Sequence, residues 1–460
     1  MAIEQEGVPT SAKLESTGET TNPPPPDRWR WVIVVSAFFS MFLCGSMGYI
    51  TGVVHISLDE TGLYGVEELA WLGSLFNCMF ALTGPAASFV ISMFSCRVCV
   101  VLSGVTCLIG FALSSVVTDI RLLFITYGFL AGLGRGLTYT GSLVIVGYYF
   151  PKDSSLVTGL CTTGVGLGMF VHPRLTQALL DFYGLEGTFR LIGAISFQTC
   201  VFGSLMRPSK FERERQLIEK RRKEEENPET QNRFLNFWNT FLTVVIKNVS
   251  FSFIVLGAIM FSIGFSAVLV LLPDFYYKNG ATKQEAAMAA SLTGLGGFIS
   301  RTLVGIGSND VNIGKMVFFS GTNGIIGTLT FFMSIFVKTL TGRYIYAFLF
   351  GTYVGSVLTL LTPITMDSVG VNNLAFGVGF MMFFTGAGCL VGPPIAVAIW
   401  QTSGDYIKAF LFAGMVFSVA TLCGFLSELC KRKPPSTESV TESTLTIISR
   451  PREEQIVERF

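Results

Sequence analysis

Twelve apolar runs alternate with short polar segments along this chain. Each run holds about 20 residues or more, and because the hydrocarbon core of a bilayer is about 30 Å thick, a helix of that length can cross it. The pattern predicts twelve membrane-spanning helices, which we number span 1 to span 12. The runs lie near 31–54, 69–92, 98–118, 122–147, 156–180 and 189–206, and then near 251–272, 286–307, 315–337, 344–366, 374–400 and 405–428.

A charged segment, 207–247, separates the first six runs from the last six. It carries many charges of both signs, including Arg221-Arg222-Lys223 followed by three glutamates, and it has little apolar surface. Such a composition predicts a partly helical or disordered linker. We therefore expect two six-helix bundles, 28–206 and 248–429, in an all-α membrane protein.

The chain ends are polar and are predicted to be disordered. Residues 1–27 include four consecutive prolines, and 430–460 are rich in Ser, Thr and Glu.

Basic residues near span ends are retained on the cytoplasmic side of a membrane, so their placement predicts orientation. If both termini lie in the cytoplasm, most of the Lys and Arg residues near span ends also lie in the cytoplasm, and the loops on the opposite side contain fewer of them. The cytoplasmic ones would include Arg28, Arg30, Arg97, Lys152 and Lys431-Arg432-Lys433. We therefore predict that both termini are cytoplasmic.

Composition excludes several classes of protein. Half of the residues are hydrophobic, 14% are charged and the net charge is +1, so a nucleic-acid partner has no basic surface to bind. We find no cluster of His or acidic residues with catalytic spacing, and we predict no enzyme, no cofactor and no metal site. Cys96 and Cys99 have C-x-x-C spacing, but no second pair accompanies them. The expected ligands are a small organic anion or zwitterion and the lipid bilayer.

Arg301 and Arg135 lie inside predicted spans, where an ionisable side chain costs about 3 kcal/mol or more. Arg301 in span 8 is surrounded at helical spacing by Gly294, Gly297 and Gly305. A guanidinium binds both oxygens of a carboxylate and stays charged when partly desolvated, so Arg301 is a candidate substrate-binding residue. The alternative is that its side chain snorkels to the cytoplasmic surface. Arg135, near the middle of span 4, is either a second anion contact or an ion-pair lock.

Three further residues are candidate substrate contacts. Histidine titrates near physiological pH, so His172 in span 5 could carry a proton, but a hydrogen-bonded core histidine or one that faces the extracellular side is the favoured interpretation. Tyr49 in span 1 and Tyr139 in span 4 are aromatic residues that could line a cavity or serve only in packing.

Several motifs resemble those of the monocarboxylate transporter family of the major facilitator superfamily. Span 1 opens with Asp27-Arg28-Trp29-Arg30-Trp31, and span 5 opens after Tyr149-Phe150-Pro151-Lys152 with small residues and glycines at the expected spacing. Span 10 ends in Met366-Asp367-Ser368-Val369-Gly370. The resemblance covers about 28–428 and rests on the order and spacing of the motifs.

This resemblance implies a fold and a set of roles. Two six-helix halves would rock about a central site and move small monocarboxylates by alternating access. Arg301 matches the arginine that binds the substrate carboxylate, while Asp27, Trp31, Lys152 and Asp367 match motif positions tied to gating. The family also implies a plasma-membrane location and a single-span immunoglobulin-type glycoprotein as a partner.

The chain departs from the family at two positions. Proton-coupled members carry a lysine in span 1 and an aspartate one turn before the span 8 arginine, where this chain has Tyr49 and Gly297. We therefore expect weak or absent proton coupling. Two alternatives stay open: a transporter of aromatic amino acids or of carnitine-like or creatine-like zwitterions, and a non-transporting membrane sensor.

Overall fold

A computed structural model describes residues 28–214, 216–217, 248–310 and 314–430, without the side chains at 49, 60, 66, 67, 70, 283, 284, 286 and 287. The described chain is helical almost throughout. In the N-terminal half, span 1 comprises Trp29–Leu43, a 3-10 helix at Gly45–Ile50, and Thr51–Glu60; span 2 comprises Val66–Leu82 and Gly84–Met93; span 3 is Cys96–Ser114; span 4 comprises Ile120–Leu123, a π-helix at Phe124–Ala131, and Gly132–Tyr149.

Spans 5 and 6 form one helical run, Ser154–Phe197, continued by Thr199–Leu205. We expected a loop over 181–188, and this expectation was wrong. The run is broken only at Gly184, whose φ of 65° is a left-handed conformation that glycine adopts without steric cost. The chain therefore reverses across a single residue, and span 5 extends to 183 while span 6 begins at 185.

The C-terminal half consists of longer helices. Spans 7, 8, 10 and 12 begin at residues whose side chains cap the first turn. For example, Asn248 accepts a hydrogen bond from Phe251 N, and Thr282 forms a capping box with Glu285. Span 7 is Val249–Lys278, span 8 is Lys283–Gly307, span 9 comprises Lys315–Phe331 and Met333–Phe336, span 10 is Leu340–Val369, span 11 is Leu374–Ser403 and span 12 is Tyr406–Leu429.

Within the described residues, ten helical stretches are long and apolar enough to cross a membrane. One of them, Ser154–Leu205, contains both span 5 and span 6. Span 9 is not among the ten because it is interrupted at Phe332. The prediction of an all-α membrane protein is confirmed, and the helices are consistent with twelve spans.

Successive spans run in opposite directions, so the two ends of the bundle can be told apart. We call the end where span 1 begins at Trp29 and span 12 finishes at Leu429 the terminal end, and the opposite end, reached by span 1 at Glu60, the loop end.

The start of the predicted linker packs against the terminal end. The Arg207 guanidinium lies 3.8 Å from the Trp29 ring centroid. The buried Glu212 carboxylate accepts hydrogen bonds from Cys96 N and Ser209 N, each 2.7 Å long. Residues 207–214 thus belong to the N-terminal half, while the rest of the predicted linker, apart from 216–217, lies outside the described residues. The predicted tails, 1–27 and 430–460, also lie outside them, apart from Cys430.

Candidate functional site

Spans 2 and 11 bring the two halves into contact toward the terminal end. Gly84 and Gly379 face each other so closely that a methyl group on Gly84 would lie 2.1 Å from the Gly379 carbonyl oxygen. One turn further, Ser88 Oγ donates a 2.5 Å hydrogen bond to the Ala375 carbonyl oxygen. The glycines allow backbone to meet backbone, so the halves are in close contact at this level.

Span 5 makes a second contact by entering the groove between spans 8 and 10. A methyl group on Gly159 would lie 2.6 Å from the Arg301 carbonyl oxygen and 2.8 Å from Gly305 Cα. Hydroxyl pairs add to this contact: Thr163 and Thr302 lie 3.0 Å apart, and Thr162 and Thr359 lie 3.3 Å apart. At the end of the same groove, Asn309 Nδ2 donates a 3.2 Å hydrogen bond to Asp153 Oδ1.

Arg301 lies in this groove and is 4% exposed. Its Nη1 donates a 2.8 Å hydrogen bond to the Gly297 carbonyl oxygen, which is its one hydrogen bond in the described part of the chain. The side chain therefore points toward the middle of the bundle, away from the terminal end to which it would have to snorkel. Guanidinium has five N–H donors, so four remain for a ligand.

Arg135 lies inside the N-terminal half and is also 4% exposed. Its guanidinium carbon is 4.5 Å from the Phe76 ring centroid and 5.0 Å from that of Phe80, and Nη1 donates a 3.0 Å hydrogen bond to the Phe76 carbonyl oxygen. Two aromatic faces and a backbone carbonyl stabilise the buried charge. Tyr139, one turn along span 4, packs its ring 4.7 Å from Phe80.

His172 is 2% exposed and joins span 5 to span 1. Its Nδ1 lies 2.8 Å from Ser46 Oγ, whose single proton is donated to the Phe42 carbonyl oxygen. His172 must therefore donate through Nδ1, which fixes its tautomer. This is the arrangement of a hydrogen-bonded core histidine. The side chain of Tyr49 lies outside the described residues.

Proteins related to this chain agree with the helix pattern. The Major Facilitator Superfamily model matches residues 30–393. The chain belongs to the Major Facilitator Superfamily. It is similar to monocarboxylate transporter 12 of Xenopus laevis, at 27% identity over 89% of this chain and 90% of the relative, and to monocarboxylate transporter 9 of Gallus gallus, at 27% identity over 88% and 93%. The predicted resemblance to monocarboxylate transporters is confirmed, and these relatives are transporters and not enzymes.

Solved structures show the same fold. The Escherichia coli fucose:proton symporter FucP superposes with a TM-score of 0.68 at 14% identity, covering 88% of this chain and all of FucP. The proton:xylose symporter XylE superposes with a TM-score of 0.66 at 14% identity, covering 86% and 95%. The arrangement of two six-helix halves is thus the major facilitator arrangement.

The motif residues of this major facilitator lie toward the terminal end. Trp31 is 57% exposed, with its ring 5.8 Å from that of Phe150. Lys152 is exposed in the turn between spans 4 and 5. Asp367 forms an ion pair with Lys315 at the start of span 9, with 2.9 Å between the Lys315 Nζ and the carboxylate oxygen. Asp27 lies outside the described residues.

The structure shows two further polar residues within the spans that the sequence pattern did not single out. Asn77 is an exposed amide near the middle of span 2, and Arg343 is a buried arginine at the start of span 10. An amide within an apolar run could have been noticed, because a lone polar group in hydrocarbon is costly. Arg343 gave no such signal, since an arginine near a span end is usually free to reach the surface.

Proposed function

We propose that this protein is a secondary transporter that moves small monocarboxylates across the plasma membrane by alternating access. The observation that carries the proposal is Arg301, a cation with uncommitted N–H groups placed where span 5 of one half meets spans 8 and 10 of the other. A carboxylate bound there would be held by a fork of N–H donors at the junction of the moving parts. The similarity to monocarboxylate transporters supports this substrate class.

Alternating access needs two arrangements of the halves, and the contacts support one of them. The close approach of Gly84 to Gly379 and of Gly159 to Gly305 closes the bundle toward the terminal end. With both termini in the cytoplasm, this arrangement faces outward, and substrate release to the cytoplasm requires these glycine contacts to separate.

We further propose that proton coupling is weak or absent. Symport requires a cavity group whose protonation is linked to substrate binding. At Gly297 the partner of Arg301 is a backbone carbonyl, which does not titrate, and His172 is engaged with Ser46. Uptake into proteoliposomes should be similar with and without an inward proton gradient. Accumulation driven strongly by the gradient in both the wild type and His172→Gln would contradict this, and its loss in the variant alone would assign coupling to His172.

The test of the substrate class is uptake and counterflow in proteoliposomes with labelled monocarboxylates, aromatic amino acids, carnitine and creatine. Arg301→Gln should abolish carboxylate uptake, and Arg301→Lys should restore little because an ammonium cannot form the bidentate contact. Arg190→Gln is the control, since Arg190 pairs with Glu186 in an exposed position. Undiminished uptake by Arg301→Gln would refute the role of Arg301, and ligand binding without counterflow would indicate a sensor.

Topology and assembly have their own test in intact cells. Tags inserted at Glu60 and Lys223 should be labelled from opposite sides of the plasma membrane, with both termini reached only from the cytoplasm. Labelling of both tags from one side would overturn the orientation. A single-span immunoglobulin-type glycoprotein should co-purify with the full chain if it escorts the transporter to the surface.

A further inference from the structure

Two buried cysteines meet inside the N-terminal half. Cys44 of span 1 and Cys107 of span 3 are both 0% exposed, and their Sγ atoms lie 3.1 Å apart. Cys107 Sγ also donates a 3.6 Å hydrogen bond to the Ala131 carbonyl oxygen. The thiol proton between the two sulfurs is therefore that of Cys44, and the two thiols are in direct contact.

Other buried cysteines are bonded differently. Cys99 of span 3 donates to the Leu137 carbonyl oxygen over 3.5 Å, and Cys161 of span 5 donates to the Val34 carbonyl oxygen over 3.6 Å. A thiol bonded in this way behaves as a small hydrophobe with a weak donor, which is the usual role of a buried cysteine. In the pair between spans 1 and 3, each sulfur instead has a second sulfur as its neighbour.

A glycine and an arginine of span 4 lie beside the pair. A methyl group on Gly134 would lie 2.4 Å from Cys107 Sγ, so only glycine leaves the sulfur in this position. The guanidinium of Arg135, the next residue, extends toward span 1: a methyl group on Gly48, one turn after Cys44, would lie 2.2 Å from Arg135 Nη2. A cation near a cysteine favours the thiolate, which is the nucleophilic form. Gly48 is half-buried, so a small uncharged oxidant can come within one turn of the Cys44 thiol.

We propose that Cys44 and Cys107 are a site of oxidative modification, at which hydrogen peroxide converts the two thiols into a disulfide bond between spans 1 and 3. The Cys44 thiolate attacks one peroxide oxygen and becomes a sulfenic acid, and the hydroxide that leaves takes the Cys44 proton to give water. Cys107 Sγ then attacks Cys44 Sγ. The S–S bond forms, the S–O bond breaks, and the departing hydroxide takes the Cys107 proton as a second water, so that two thiols lose two electrons to one peroxide. The sulfurs need to approach by about 1 Å to reach bonding distance.

The position of Cys44 connects this bond to transport. The α-helix of span 1 ends at Leu43, and Cys44 joins it to the 3-10 helix Gly45–Ile50. Interrupted helices form the substrate sites of many secondary transporters. A disulfide at the interruption would tie it to span 3, so we expect oxidation to slow uptake. This consequence rests on the proposed transport function, whereas the chemistry of the pair does not.

The test detects the bond in the full chain. Cys44 is the one cysteine among residues 1–61, so a protease site inserted between Thr61 and Gly65 releases a fragment that can form a disulfide only through Cys44. The background is Cys430→Ser, which removes an exposed cysteine. Treatment with hydrogen peroxide before cleavage should leave the fragment joined to the rest of the chain on a non-reducing gel, and dithiothreitol should release it.

Serine variants identify the two sulfurs. Cys44→Ser and Cys107→Ser should each abolish the joined product, and Cys99→Ser, the matched control in span 3, should keep it. Uptake by the wild type in proteoliposomes should fall after peroxide treatment and recover on reduction. Uptake by Cys107→Ser should not respond to peroxide.

The outcomes separate the site from its consequence. Absence of the joined product from the folded wild type, or its persistence in Cys107→Ser, would overturn the assignment of the site. A joined product with unchanged uptake would overturn only the effect on transport. If the wild type transports nothing, the proposed function fails, and the gel still decides whether the disulfide forms. Size-exclusion profiles in detergent establish that each variant is folded.

Discussion

The two halves of this transporter hold their buried arginines in different ways. In the N-terminal half, Arg135 is enclosed by the rings of Phe76 and Phe80 and by the Phe76 carbonyl. In the C-terminal half, Arg301 lies among glycines and donates to one carbonyl of its own helix. Aromatic faces stabilise a cation without using its N–H groups but fill the space around it, whereas glycines leave that space open. The difference favours a fixed charge in the first half and a ligand-binding charge in the second.

Arg343 shows what a structural arginine looks like in the same half as Arg301. Its Nε donates a 2.9 Å hydrogen bond to the Val337 carbonyl oxygen, and its Nη2 donates a 2.5 Å hydrogen bond to that of Asn279. These carbonyls lie at the C-terminal ends of spans 9 and 7, where helix dipoles favour a positive charge. Arg343 thus joins three spans at the loop end.

The largest effect we expect on stability is that of Arg343→Gln. Loss of the guanidinium leaves two carbonyls and two helix ends without a partner, which should cost about 3 kcal/mol. The measurement is the melting temperature of the purified protein in detergent, with Arg301→Gln as the comparison. Arg301→Gln should lose uptake while melting near the wild-type temperature, and equal destabilisation by both would remove the distinction between the two arginines.

Gly159→Val should shift the equilibrium between the two arrangements of the halves. A methyl group at this position already approaches the backbone of span 8 within 2.6 Å, so a larger side chain should cost about 1–3 kcal/mol in the closed arrangement and favour its opening. Reactivity of Asn309→Cys with an impermeant thiol reagent, applied to inside-out vesicles, should increase in the variant.

The control for that experiment is Gly321→Val in span 9. No atom of the described part of the chain lies within 4 Å of a methyl group placed there, so the substitution should leave the reactivity of Asn309→Cys unchanged. Equal reactivity in the wild type and Gly159→Val would mean that the glycine contact does not hold the terminal end closed.

Gly297→Asp should make uptake moderately dependent on pH. A side chain there begins 3.0 Å from Arg301 Nη1, so its carboxylate would occupy the guanidinium and compete with substrate. Protonation would release the guanidinium, and uptake at pH 5.5 should exceed that at pH 7.5 by about tenfold, or about 1.4 kcal/mol. Gly297→Asn is the neutral control with the same shape. If both variants respond alike to pH, the effect does not come from the carboxylate.

How far the sequence predicts this protein depends on the range of the interactions involved. The spans and Arg301 could be found because bilayer thickness fixes helix length and because a charge in hydrocarbon stands out. The packing of Glu212 against span 3 was missed because it depends on residues that are distant in the chain. The break at Gly184 was missed because a single glycine in a left-handed conformation takes the place of the expected loop.

The smallest effect we expect is that of Ser46→Ala, which tests whether His172 belongs to the packing of the N-terminal half. Ser46 accepts from His172 Nδ1 and donates to the Phe42 carbonyl oxygen, so its loss leaves a buried imidazole N–H without a partner and should cost about 1 kcal/mol. Ser40→Ala is the matched control, because the Ser40 hydroxyl is buried in the same span and has no hydrogen-bond partner among the described residues, so its removal should not lower stability. Melting temperatures of the two variants decide the point. Suppose that Ser46→Ala has the same melting temperature as Ser40→Ala and the wild type, and that its uptake becomes dependent on a proton gradient. His172 is then a titrating group of the transport cycle and not a packed residue of the N-terminal half.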